Sequence, residues 1–164
     1  MHFSEKAGAA KTMEPSFEKL LARLAAAEVE FLLVGGLAVA LNGYVRLTED
    51  VDILVRTDPA NLTRLLGVLS DFGEGYGGDL TIADFDDEPG AIRVVEESES
   101  CQVDIFTVMA GGKYEDFIAE AETTRIREYE VRYASKASLI RVKSGSVREK
   151  DRIDVIALTE LLKR

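Results

Sequence analysis

The chain is poor in the residues that build disulfide frameworks and histidine sites. It has one cysteine and one histidine among its 164 residues. Cys101 has no second cysteine with which to form an internal disulfide, which favours a reducing compartment. His2 lies in the N-terminal segment, so the sequence predicts neither a histidine-based catalytic site nor a zinc site.

Long apolar runs and an excess of basic residues are missing as well. No apolar run approaches the roughly 20 residues that a membrane span needs. The first residues, MHFSEKAGAAKTMEPS, lack the apolar block of a signal peptide, so we expect a cytoplasmic protein that does not bind membranes. The net charge of -10 argues against a broad face for nucleic acid, although it leaves room for a local basic pocket.

Hydrophobic residues make up 46% of the chain, which is ample for a core. Residues 1–14 are small, polar and aperiodic, and we interpret them as a flexible tail. No repeat or linker divides the remainder, so residues 15–164 are expected to form a single domain.

The hydrophobic periodicity predicts an α+β fold, in which helices flank a small mixed sheet. Ser16 and Asp58 are expected to cap the first and third helices. The predicted helices cover 16–27, 37–41, 59–69, 114–121, 135–143 and 150–162. The predicted strands cover 31–34, 51–55, 81–83, 91–95 and 102–108, followed by an extended segment over 125–133.

Two aspartates flank a single valine in the segment EDVDILV. Side chains on a strand alternate, so Asp50 and Asp52 point to the same side, roughly 6.5 to 7 Å apart between α-carbons. Two like charges at this distance raise each other's pKa unless a cation lies between them. Mg²⁺ prefers carboxylates together with waters and substrate phosphates, which makes this pair a candidate metal site. A short motif of this kind is also common on solvated strand faces.

A third aspartate follows on the strand CQVDIFTV. Asp104 lies on the face opposite Val103 and Ile105. If this strand neighbours the first, three carboxylates converge, as in sites that hold two metal ions for phosphoryl transfer. The alternative is a single exposed aspartate on an edge strand.

A glycine pair, Gly35-Gly36, separates the strand FLLV from a short helix. Such a turn exposes backbone N–H groups at a helix start and lets a phosphate approach closely. A tight turn with close packing of strand and helix explains the pair equally well. The segment matches neither a dinucleotide-binding fingerprint nor a P-loop.

Together these motifs resemble the polymerase-β-type nucleotidyltransferase superfamily. Its pattern is a strand, Gly-Gly or Gly-Ser, a short helix, Asp-x-Asp on the next strand, and a later carboxylate. The segment GGLAVALNGYVRLTEDVDILV is most similar to small prokaryotic nucleotidyltransferase-like proteins, including those related to abortive-infection and toxin–antitoxin systems. The closing segment LIRVKSGSVREKDRIDVIAL also resembles that group.

The resemblance implies roles for seven residues. Gly35 and Gly36 would contact the phosphates of a nucleoside triphosphate such as ATP. Asp50 and Asp52 would bind two Mg²⁺ ions, and Asp104 would bind the second ion and help to deprotonate the acceptor hydroxyl. Lys143 would contact the triphosphate and Arg46 would contact phosphate or fix the loop before the second strand, although either could be a surface cation.

The expected reaction is transfer of a nucleoside monophosphate to an acceptor hydroxyl on a small molecule, a protein side chain or an RNA end. Gly36 stands where many catalytic members have serine, which removes a hydroxyl contact to phosphate. The alternative is therefore an inactive binding or regulatory protein, for example half of a toxin–antitoxin pair. The sequence leaves open a partner protein or a homodimer.

Overall fold

The computed structural model describes residues 13–164, so His2 and nearly all of the predicted tail lie outside the described residues. The helices are α1 (Pro15–Ala26), α2 (Gly35–Leu41), α3 (Pro59–Ser70), α4 (Tyr114–Phe117), α5 (Lys136–Lys143) and α6 (Glu149–Leu162). The strands are β1 (Phe31–Val34), β2 (Val51–Val55), β3 (Ile92–Glu96), β4 (Cys101–Phe106), β5 (Glu122–Ile126) and β6 (Tyr129–Tyr133). The division into a tail and one domain stays a prediction.

The six strands form one mixed sheet in the order β3-β4-β2-β1-β6-β5. Strand β2 pairs antiparallel with β1 and parallel with β4, and β3 pairs antiparallel with β4. Strand β6 runs parallel to β1 and antiparallel to β5. The α+β fold class with a small mixed sheet is thus confirmed.

The core lies where the apolar strands meet the apolar faces of the helices. All four residues of β1 are buried, as expected for a central strand with both faces covered. Helix α1 packs against β6 and α3, and α2 packs against β1, β2 and α5. Helix α5 packs in turn against α6, so α5 lies between α2 and the closing helix. This arrangement brings Asp154 of α6 to Arg46, in the loop between α2 and β2.

Several predicted boundaries agree with the structure, and local hydrogen bonding explains those that do not. Asp58 caps α3 as predicted, because its carboxylate accepts a hydrogen bond from the backbone N–H of Asn61. The predicted Ser16 cap is wrong, since Glu14 is the N-cap of α1 and Pro15 is its first residue. Proline suits that position because its missing N–H has no helical partner there. Helix α2 begins at Gly35, two residues earlier than predicted.

The strand predicted at 81–83 is wrong. Ile82–Asp84 is a turn of 3₁₀ helix, and the Asp84 carboxylate accepts hydrogen bonds from the backbone N–H and hydroxyl of Thr81. This local bonding outcompetes pairing in the sheet.

The predicted helix over 114–121 and the predicted extended segment over 125–133 are present in modified form. The helix predicted over 114–121 ends after one turn and continues as 3₁₀ helix over Ile118–Glu120. The extended segment over 125–133 is a hairpin, because the chain reverses at Arg127, which has a positive φ. In the described part of the chain, no helix has the length and apolar character needed to cross a membrane.

Candidate active site

The three predicted carboxylates meet at one end of the sheet. Strands β2 and β4 are parallel neighbours, and their register places Asp52 directly beside Asp104. Asp50 precedes β2 and lies on the same side as Asp52. One carboxylate oxygen from each residue lies within 4.8 Å of the other two. The predicted convergence of these side chains from two strands is therefore present.

Asp52 lies at the centre of this carboxylate cluster, which comprises Asp50, Asp52 and Asp104. Its Oδ1 atom is buried, and no hydrogen-bond donor within the described chain reaches it. Burial, followed by repulsion from Asp50 and Asp104, raises the pKa of Asp52 to about 7. The positive charge of Lys143 opposes this rise. A buried carboxylate without a partner is costly, and a cation between the three groups would offset that cost.

The other two carboxylates have polar neighbours. The Gln102 side chain donates a hydrogen bond to Asp50 Oδ2 at 3.2 Å. Burial and then repulsion from Asp104 raise the pKa of Asp50. Asp104 is nearly buried and accepts two hydrogen bonds from the Arg93 guanidinium, at 2.9 Å from Nε and 3.1 Å from Nη2. Arg93 is the residue directly opposite Asp104 on β3.

The glycine pair lies against the carboxylate cluster and is also required by packing. Val34, at the end of β1, pairs with Asp52, so the chain enters α2 next to that carboxylate. Gly35 has a φ of +67°, and a Cβ atom there would overlap the Asp52 side chain. A Cβ atom on Gly36 would overlap Thr48. Close packing alone therefore accounts for both glycines, although their proximity to the carboxylates fits a phosphate cradle as well.

The first turn of α2 leaves backbone donors available. No side chain caps this helix within the described chain, and its N-cap residue is Val34. The first four N–H groups of an α-helix have no partner inside the helix. These donors begin at the turn that contacts Asp52.

The two predicted phosphate-binding cations are both paired with one buried carboxylate, Asp154, which no sequence motif marks. Arg46 binds Asp154 through two hydrogen bonds of 2.8 and 2.7 Å, and Lys143 lies 3.2 Å from the same carboxylate. Asp154 has no exposed surface. Lys143 also binds Asp151 at 2.9 Å. Arg46 and Lys143 are thus brought together near the glycine turn, but neither presents an unpaired charge.

The sequence marks neither Asp154 nor Arg93 as a residue of the site. Asp154 lies three residues after Asp151 on α6, a spacing that is common on solvated helix faces. Arg93 lies in a predicted strand, but only the register of the β3–β4 pair places it on Asp104.

No model of a known protein family matches the chain, and no curated protein matches it. Among solved structures, the chain is similar to the crystal structure of an antigenic nucleotidyltransferase-like protein from Paracoccidioides brasiliensis. The identity is 16%, the similarity covers 88% of this chain and 73% of that chain, and the TM-score is 0.48.

Proposed function

We propose that the protein is a magnesium-dependent nucleotidyltransferase, which transfers a nucleoside monophosphate from a nucleoside triphosphate to an acceptor hydroxyl. The observation that carries the proposal is the meeting of Asp50, Asp52 and Asp104 within 4.8 Å, beside a glycine turn. The motif resemblance supports the same assignment. ATP is the first triphosphate to test.

The residues of the carboxylate cluster fit a divalent cation. Carboxylate oxygens are the ligands that Mg²⁺ prefers, and the buried Oδ1 atom of Asp52 has no donor among the described residues. Asp50 and Asp52 would hold both ions, and Asp104 would hold the second. When bound, the ions would neutralise charge on the phosphates and polarise their oxygens.

The chain's own residues would position the reactants and accept a proton. The backbone N–H groups that begin at Gly35 and Gly36 would bind the β- and γ-phosphates. The acceptor oxygen would form a bond to the α-phosphorus while the bond to the bridging oxygen breaks. Pyrophosphate would leave with that electron pair, and the hydroxyl proton would pass to Asp104. Positioning and charge stabilisation would supply most of the rate.

Lys143 and Arg46 receive a modified role in this proposal. Both are paired with Asp154, so we propose that they act mainly by fixing the geometry next to the glycine turn. The charge of Lys143 still acts on Asp52 and would contribute to the potential felt by a triphosphate.

The test is an assay with each labelled nucleoside triphosphate, Mg²⁺ and a cell extract as the source of acceptors. We expect pyrophosphate release and a labelled product from the wild-type protein. The double variant Asp50→Asn, Asp52→Asn should lose both signals, while Asp79→Asn, an exposed aspartate outside the cluster, should retain them. A labelled product that persists in the double variant would overturn the assigned roles.

One observation favours a second candidate, a nucleotide-binding or regulatory protein without turnover. Arg93 engages both oxygens of Asp104, and the cations Arg46 and Lys143 are neutralised internally. Such a protein could act with a partner, as half of a toxin–antitoxin pair. Calorimetric titration with MgATP distinguishes the candidates, since binding without pyrophosphate release favours the second.

A further inference from the structure

Arg93 is placed on the carboxylate cluster by the sheet itself. It lies opposite Asp104 in the antiparallel β3–β4 pair, and its guanidinium binds both oxygens of that carboxylate. In the described part of the chain, it is the one lysine or arginine that forms an ion pair with Asp50, Asp52 or Asp104. Its side chain is nevertheless 60% exposed, because β3 is an edge strand. A cation therefore faces solvent at the border of the cluster.

The strand order arranges the site in a line. The glycine turn follows β1, and the neighbouring strands β2, β4 and β3 carry Asp52, Asp104 and Arg93 in that order. Adjacent strands are about 4.8 Å apart, so Arg93 lies on the far side of the carboxylates from the glycine turn. One end of the line therefore offers backbone N–H groups, and the other offers a guanidinium.

This order distinguishes the side of the leaving group from the side of the acceptor, if the proposed function holds. The glycine turn would bind the β- and γ-phosphates, so pyrophosphate leaves on the β1 side. In phosphoryl transfer the attacking and leaving oxygens lie roughly in line with the phosphorus. The acceptor hydroxyl must then approach from the side of β3, where Arg93 lies.

We infer that Arg93 binds a phosphate group of the acceptor, so that the acceptor is a hydroxyl compound with a phosphate close to the reacting oxygen. A guanidinium matches phosphate through two parallel hydrogen bonds, as it matches the carboxylate of Asp104 here. When an acceptor phosphate binds the Arg93 guanidinium in place of Asp104, the Asp104 carboxylate is free to receive the hydroxyl proton. An acceptor that carries amines in this place would instead be repelled by Arg93.

The inference can be tested by metal binding, without turnover. The affinity of the protein for Mn²⁺ is measured in the wild type, in Arg93→Gln and in Arg125→Gln. Arg125 is the matched control, since it is an exposed arginine on β5, the opposite edge strand. Removing the guanidinium that competes at Asp104 should tighten Mn²⁺ binding about two- to fivefold, the range for a charge pair that is screened because its cation is exposed. The control should bind Mn²⁺ as the wild type does.

Inorganic phosphate is the second probe. In the wild type it should tighten Mn²⁺ binding by up to the same factor, because it draws Arg93 away from Asp104. By linkage, Mn²⁺ should tighten phosphate binding equally. Both effects should disappear in Arg93→Gln and persist in Arg125→Gln. Phosphate that binds the metal directly would act equally on all three proteins.

The source of the phosphate is distinguished by replacing inorganic phosphate with one of two hydroxyl compounds. Coupling with a ribodinucleotide that has a free 3′ hydroxyl would indicate the end of a nucleic acid, whereas coupling with glycerol 3-phosphate alone would indicate a small phosphorylated acceptor. Unchanged Mn²⁺ affinity in Arg93→Gln, or equal phosphate coupling in Arg93→Gln and wild type, would overturn the inference. Mn²⁺ binding that is insensitive to Asp52→Asn would instead overturn the proposed function.

Discussion

Replacing Asp52 with asparagine is expected to stabilise the metal-free protein at pH 8. The pKa of Asp52 is about 7 in the folded state, compared with 3.8 when the group is unperturbed. Between these pH values the folded state binds a proton that the unfolded state has released, so the free energy of unfolding falls as pH rises. Each unit of pKa corresponds to about 1.4 kcal/mol, so the carboxylate costs about 4 kcal/mol above pH 7. Asparagine keeps the shape and removes the charge.

The assay is urea and thermal denaturation in EDTA, followed by circular dichroism. The gain in stability from Asp52→Asn should be about 2 kcal/mol at pH 5.5 and about 4 kcal/mol at pH 8. For a chain of this length, the larger value corresponds to a rise in Tm of about 8 to 16 °C. Asp79→Asn, at an exposed position, should change stability by less than about 0.5 kcal/mol at either pH.

In Mg²⁺ the wild type should become more stable than Asp52→Asn, the reverse of the order in EDTA. An ion that binds the folded wild type stabilises it by mass action, and Asp52→Asn should lose most of that effect. The reasoning is refuted if Asp52→Asn is less stable than wild type at pH 8 in EDTA. It is also refuted if the difference between the two proteins does not change with pH.

Three further outcomes are expected. In a urea titration, Asp154→Ala should lower the free energy of unfolding by about 3 to 5 kcal/mol, because two partly buried cations lose their common partner. Glu160→Ala, on the exposed face of α6, should have little effect in the same titration. Gly35→Ala should cost about 1 to 3 kcal/mol, because of its positive φ and its contact with the cluster, and Gly145→Ala, where a Cβ atom meets open space, should be nearly neutral. Burial and then nearby glutamates raise the pKa of Cys101 to about 12, so a thiol reagent at pH 8 should label it in urea and not in the folded protein.

The convergence of the carboxylates could be predicted from the sequence because it depends on the simplest periodicity. Side chains two apart on a strand share a face, which relates Asp50 to Asp52 without any knowledge of the sheet. To place Asp104 beside them, one must also assume that β4 pairs with β2. The parallel register of these two strands shows that it does.

The ion pairs of the site could not be predicted, because they depend on tertiary packing and strand register that the local sequence does not show. Arg46 and Asp154 are 108 residues apart, and nothing local distinguishes Asp154 from a solvated helix residue. Arg93 reaches Asp104 only through the β3–β4 register. The strand predicted over 81–83 failed for a different reason, since a hydrogen-bonded turn competes locally with pairing in the sheet.

The bond between Arg46 and Asp154 also has a consequence for synthesis of the chain. The loop that leads into β2 receives its buried counter-charge from the last helix described, more than a hundred positions later. While the ribosome is still making the intervening strands, the Arg46 guanidinium lacks this anion, and Lys143, which follows the last strand, also precedes it. The ion pairs of Arg46 and Lys143 with Asp154 beside the glycine turn therefore cannot form until the closing helix has been made.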